Sequence, residues 1–282
     1  MAVFRSRRGW AHLSANFSFA FAALAGIVQL ILAVRPIAAL QGTRTIVGLT
    51  ALSCFWAVVR SLPRDSVSRR FNHPNFSVAV KVGDLFAERS DLIIGFTDVF
   101  DTSIEGGDII SPGSVQGQLL EKVFHGDVSS LDAALATSLR DSPVEGSESA
   151  VDKPRGKRDR YRIGTVAVIP HGGSRYYCVA YSRMSNDLIA QSSVDYLWRS
   201  LSNVWSTIAS HGHLDPVAIP IFGSDLARVG NLGRESLLKM IILSFVAASR
   251  VTLVSRRLTV VIYPSDADEV NLHEVQAFLS SL

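Results

Sequence analysis

Two apolar stretches within the first sixty residues limit what this chain can fold into more than any other feature. The first, FSFAFAALAGIVQLILAV at residues 17–34, runs about 18 residues without a charge, close to the roughly 20 that carry a helix across hydrocarbon. Ser18 and Gln29 are its only polar side chains. The second, TIVGLTALSCFWAVV at residues 45–59, is shorter, but extends through Ser61 and Leu62 if Arg60 snorkels to the headgroups. A short turn from Arg35-Pro36 to Arg44 joins them, which predicts a helical hairpin with both ends on one side. The alternatives are a signal peptide, which would have a shorter apolar core and no second span, or a buried hairpin of a soluble fold.

Charge placement sets the side. Arg5, Arg7 and Arg8 precede the first span and Arg60, Arg64, Arg69 and Arg70 follow the second, against Arg35 and Arg44 between them. The positive-inside rule then places both termini, and everything after Ser61, in the cytoplasm, with the membrane crossed twice. Residues 1–75 hold nine Arg and one Asp, about +8, which leaves about −5 for the remainder of a chain whose total is +3. The basic balance belongs to the anchor, where anionic lipid is its natural partner, and does not argue for nucleic acid. Cys54 and Cys178 are the only cysteines, so there is neither a disulfide framework nor metal-type spacing. His211 and His213 stand close in SHGHLD without a second ligand cluster, as in a solvated loop.

The division that follows is an anchor at residues 1–62, with helices at about 14–34 and 44–62, a polar proline-bounded linker at 63–75, and one large domain at 76–282. Within that domain short apolar runs alternate with amphipathic stretches. Strands are expected at 76–82, 91–96, 163–169, 176–181, 217–222 and 258–263, and helices at 115–124, 131–139, 192–210, 234–249 and 272–279. Strands interleaved with helices predict a three-layer α/β/α sandwich on a mixed sheet. Residues 140–160 read as a long polar loop. The basic run KPRGKRDRYR at 153–162 lacks the interleaved stacking aromatics used on single strands and reads as a solvated hairpin.

Chemistry in such a sandwich gathers at the carboxyl ends of strands. Three loops there are unusual. In the first, Asp84 and Leu85 follow directly on an apolar strand. In the second, Gly113, Ser114, Val115, Gln116 and Gly117 lead into a helix, so free amides and the helix dipole face one point. In the third, Gly223, Ser224, Asp225, Leu226, Ala227 and Arg228 again follow a strand and precede a helix. Two amide-rich loops of this sort can clasp a diphosphate, although each alone could be a turn that needs glycine. No Walker A, GxSxG, HExxH or CxxC pattern supports a kinase, serine hydrolase, metalloprotease or thiol-redox reading.

Taken in order, VGDLF, IISPGSVQGQLLEK, YSRM, AQSSVDYLW, AIPIFGSDLAR and VIYPSD resemble a macrodomain, the module that binds ADP-ribose. More narrowly, they resemble the branch found in Thoeris antiviral defence effectors of bacteria, behind two transmembrane helices, and the likeness covers essentially the whole chain. The resemblance implies that Asp84, with Leu85 beside it, takes the adenine amino group. It also implies that residues 113–117 and 223–228 are the two diphosphate loops. The segment matching the asparagine-bearing stretch of hydrolytic macrodomains is Ile94-Gly95-Phe96-Thr97-Asp98, which adds Thr97 and Asp98 to the ligand contacts. Gly95 and Asp98 stand where asparagines are usual. Asp98 is thus expected to grip a ribose hydroxyl or a cationic group, or else to cap the following turn.

What the resemblance implies is a receptor without catalytic residues, metal or cofactor. A TIR-domain enzyme would supply an ADP-ribose-derived signal, such as histidine-ADP-ribose. Binding would drive homo-oligomerisation, membrane disruption and arrest of the infected cell. The rivals are a membrane-tethered ADP-ribosyl hydrolase and a structural membrane protein with a vestigial pocket.

Overall fold

The computed structural model of the chain describes residues 7–34, 42–61, 65–222 and 232–282. It comprises two units, residues 1–64 and 65–282. The first holds helices α1 (Arg7–Val34) and α2 (Thr43–Ser61), which contact one another. The 22 residues Leu13–Val34 of α1 are long and apolar enough to cross a membrane. The apolar part of α2, Thr43–Val59, is shorter than a full span. Little of α1 is buried: Phe19 and Leu30 stand exposed, as do Ile46, Phe55 and Trp56 on α2. That is the reverse of a buried soluble hairpin. The expected turn at residues 35–41 lies outside the described residues.

In the second unit, residues 66–72 correct the expected linker. They form β1 (Ser66–Asn72), paired antiparallel to β2 (Asn75–Val82). The strand is amphipathic, with Val67 and Phe71 facing the core, Arg69 half-buried beside them over the Phe71 ring, and Ser66, Ser68 and Arg70 turned out, so its polarity disguises it as a tether.

The sheet follows the order β1-β2-β10-β9-β3-β7-β6. Its central strands β2, β10 (Arg257–Ile262), β9 (Val217–Pro220), β3 (Asp91–Thr97) and β7 (Ser174–Met184) are parallel. The margins are antiparallel: β1 on β2, β6 (Val166–His171) on β7, and the short β8 (Ala190–Gln191) on β7. Parallel strands buried on both faces must be apolar on both. β3 accordingly sends Leu92, Ile94 and Phe96 to one side and Ile93 to the other. Helices α3 (Val115–Val123) and α4 (Val128–Leu139) cover the first face. On the second lie α5 (Val194–His211), α6 (Arg234–Val251) and α7 (Leu272–Ser281). This is the expected three-layer sandwich with a mixed sheet. Its larger core turns on Trp205, whose ring meets Phe245 edge-on at 5.2 Å and whose indole N–H donates to Ser244 Oγ at 2.9 Å.

The stretch read as a long polar loop contains a ribbon, β4 (Val144–Ser147) paired antiparallel with β5 (Asp159–Tyr161). The basic run is only partly the solvated hairpin expected: Arg155, Arg158 and Arg162 are exposed, whereas Lys153 and Arg160 turn inward. Lys153 is fully buried, donating to Lys157 O at 2.5 Å and standing 3.6 Å from Asp101. Lys157 pairs with Asp132, and Arg155 with Asp108. Acidic side chains after β3 and on α4 draw the basic strand inward, and burial lifts the Asp101 carboxyl above its ordinary range.

Candidate functional site

The parallel strands β3, β9 and β7 end on the same side, and a cleft of about 360 Å³ opens over them. Its size suits a small molecule. One wall is the start of α3. Ser111-Pro112-Gly113 turns into the helix, and Ser114 caps it: its hydroxyl accepts from Gly117 N at 3.1 Å and donates to Ser111 O at 2.7 Å. The amides of Val115 and Gln116, in the first turn, have no intrahelical acceptor and stand at the cleft beside the positive end of the dipole. Gly117 serves packing. A Cβ there would come within 2.6 Å of Ser111 O and 2.7 Å of Pro112 O, so only glycine lets the loop lie on the helix.

The floor is the end of β3. Thr97 is 7% exposed and lines the cleft, and its hydroxyl is buried without a hydrogen-bond partner. An orphaned buried hydroxyl costs about 1–3 kcal/mol, which a ligand donor or acceptor would recover. The other wall is aromatic. Between Phe96 and Thr97 the β3/β7 register slips by one residue on β7, and such a bulge re-aims a side chain. Beside it Tyr181 stacks on Phe222, with centroids 5.1 Å apart and planes 15° from parallel. Gly95 lies beneath: a Cβ there would be 2.6 Å from the Tyr181 ring. The aromatic pair was missed in the sequence, although a lone glycine inside an apolar strand signals such a close approach.

Of the expected contacts, the structure gathers Thr97, Gly113, Ser114, Val115 and Gln116 at this cleft. Gly223, Ser224, Asp225, Leu226, Ala227 and Arg228 lie outside the described residues. Asp98 departs from expectation. It is 2% exposed, and its carboxylate accepts from Arg160 Nη1 and from Met184 N, each at 2.8 Å, so it is not free for a ligand.

Asp84 and Leu85 also stand apart from the cleft. Leu85 is buried in the core under α3. Asp84 caps the 3-10 turn Leu85–Ala87 through Phe86 N at 3.0 Å and meets Lys122 at 2.7 Å. That lysine hydrogen bond holds the carboxyl below its ordinary range. Asp84 faces a second hollow of about 480 Å³ with Glu88, His171 and Tyr176. The only helix start on that hollow among the described residues is the 3-10 turn, and the Asp84 carboxylate already occupies it, so the cleft over β3 is the better anion site. Among the described residues, no three His, Cys, Asp or Glu side chains cluster as metal ligands.

The protein is 24% identical over 239 residues, 83% of this chain and 77% of the relative, to the Thoeris protein ThsA of Bacillus amyloliquefaciens strain Y2. The fold is similar to the Oceanobacillus iheyensis macrodomain solved with ADP, at a TM-score of 0.52 and 10% identity over 78% of this chain and all of that one. The same macrodomain with MES bound gives a TM-score of 0.50 and 12% identity, over 77% of this chain and all of that one. The family model described as Thoeris protein ThsA, Macro domain, matches residues 78–263, about two thirds of the sequence, and the chain belongs to that family.

Proposed function

We propose that this chain is a membrane-bound effector of anti-phage defence whose macrodomain binds an ADP-ribose-derived signal. The observation that carries the reading is the cleft itself, where Val115 and Gln116, whose amides have no intrahelical acceptor, line one wall and Thr97, with its buried unpartnered hydroxyl, lines the floor. Amides at a helix N-terminus suit a phosphate, and a buried hydroxyl suits a ribose. The solved relative with ADP bound has the same fold, and membership of the ThsA family supports a place in Thoeris defence. In this reading a TIR-domain enzyme produces the signal, such as histidine-ADP-ribose. α1 and α2 form a two-span anchor with both termini cytoplasmic, and binding drives oligomerisation and membrane disruption. The ligand can shift that equilibrium only by binding the active arrangement more tightly than the resting one.

Binding without turnover is the favoured form of this proposal over a tethered hydrolase. Gly95 offers no side chain to hold a water, and the Asp98 carboxylate is spent on Arg160 and Met184. The test is a calorimetric titration of the full chain in detergent with ADP-ribose and with histidine-ADP-ribose, followed by mass spectrometry of the same sample. Saturable binding with intact ligand is expected. Stoichiometric breakdown would replace the receptor by an enzyme, and no heat with either compound would remove the ligand altogether.

A further inference from the structure

Asp98 and Arg160 form a buried pair just behind the cleft, and every polar group of Asp98 joins two chain segments. Its N–H donates to Ser182 O and its carbonyl accepts from Tyr161 N, both at 2.8 Å, which ties the end of β3 to β7 and β5. Its carboxylate takes Met184 N at 2.8 Å while Arg160 Nη1 takes Met184 O at the same distance. The peptides on both sides of Met184 are therefore pinned. Arg160 reaches two further acceptors, Asn186 Oδ1 at 2.9 Å and Glu148 Oε1 at 2.6 Å. Thr97 and Met184, which flank this network, both line the cleft. Arg160 does not.

We propose that Arg160 is a positioning residue for the cleft: acting through Asp98, it holds Thr97 on β3 and Met184 on β7 at the spacing a ligand needs. The β4–β5 ribbon carries it there, which gives that excursion a purpose beyond covering the sheet. A guanidinium is required because its planar fork serves Asp98, Met184, Asn186 and Glu148 together. An ammonium cannot reach four acceptors spread around one plane. The affinity arm rests on the reading of the cleft as an ADP-ribose site, whereas the geometric arm does not.

The experiment uses Arg160→Lys and Arg160→Gln in the full chain, each measured well below its melting temperature. Hydrogen exchange without ligand reads the clamp, and calorimetry with ADP-ribose reads its effect. In Arg160→Lys, which keeps the charge against Asp98, exchange should rise at residues 97–98 and 182–186 while α5 and α6 keep their protection. ADP-ribose should bind about tenfold more weakly, the scale expected when walls shift by a fraction of an ångström. Arg160→Gln should show the same pattern with a larger loss of stability. Unchanged exchange at those residues, or an affinity within twofold of the parent in both folded variants, overturns the proposal. Should the parent itself fail to bind ADP-ribose, the functional reading falls, while exchange at Thr97 and Met184 still decides whether Arg160 holds the walls.

Discussion

Alanine at Gly117 separates glycine as a packing requirement from glycine as loop composition. The new Cβ would stand 2.6 Å from Ser111 O, 2.7 Å from Pro112 O and 2.8 Å from Pro112 Cα. All three are backbone atoms, so no side chain can swing clear. Carbon–oxygen contacts settle at about 3.3 Å or more, so residues 111–112 must retreat by roughly 0.7 Å. Overpacking of this kind costs about 2 kcal/mol. At about 3 °C per kcal/mol for a domain of this length, melting should fall by about 6 °C. The displaced loop also misaims the Val115 and Gln116 amides. Losing one hydrogen bond to a charged phosphate is worth about 1.5–3 kcal/mol, so ADP-ribose should bind about 10- to 100-fold more weakly. Differential scanning calorimetry and titration on one preparation give both numbers. Gly113→Ala is the control for stability: its Cβ meets nothing nearer than Ser111 Oγ at 3.9 Å, so melting should hold within about 2 °C. Parental melting and affinity in Gly117→Ala would refute the claim that loop and helix need this approach, and an equal fall in Gly113→Ala would refute its steric cause.

Thr97→Val removes an orphaned hydroxyl while keeping its shape, so melting should hold or rise while ADP-ribose affinity drops by about fivefold, as for one neutral hydrogen bond. Equal affinity by titration would take Thr97 out of the site. Gly95→Ala drives a methyl into the Tyr181 ring, and Gly95→Ala with Tyr181→Leu gives part of the space back. The single variant should lose near-ultraviolet circular dichroism from the Tyr181–Phe222 stack as well as affinity, and a parental spectrum would show that the ring yields freely. Glu148 is held below its ordinary carboxylate range by its hydrogen bond with Arg160. It binds protons less readily folded than unfolded, so its stabilisation is present above the ordinary value of 4.5 and is lost as pH falls through the lowered folded value. Glu148→Gln should therefore melt lower than the parent at pH 7, with the gap closing in acid. A gap independent of pH would mean that the carboxylate charge is not what holds Arg160.

The sequence revealed the elements built on local rules and concealed the site contacts made over long distances. α5 was legible because Leu197, Leu201, Val204, Trp205 and Ile208 recur at helical spacing, and β3 because an apolar run of its length is a buried strand. β1 was not, because a two-faced edge strand beside an anchor has the composition of a tether. At the site, the Ser114 cap and the glycine after it lie within four residues, so the turn into α3 was legible, and its residues Gly113–Gln116 line the cleft. Asp98 failed for the opposite reason. Its partner Arg160 is 62 residues away, inside a basic run whose local reading was solvation. A charge run solvates only when no opposite charge is folded against it, and a −5 domain whose few dense basic residues lie in one run has acidic side chains to spare for them. The same imbalance places Lys153, Lys157 and Arg160 beside Asp101, Asp132 and Asp98. Charge bookkeeping by segment, carried one step further, would have pointed to acidic partners for part of the run but not to which ones; that Asp98 is taken by Arg160 follows only from the fold that brings β5 behind the end of β3.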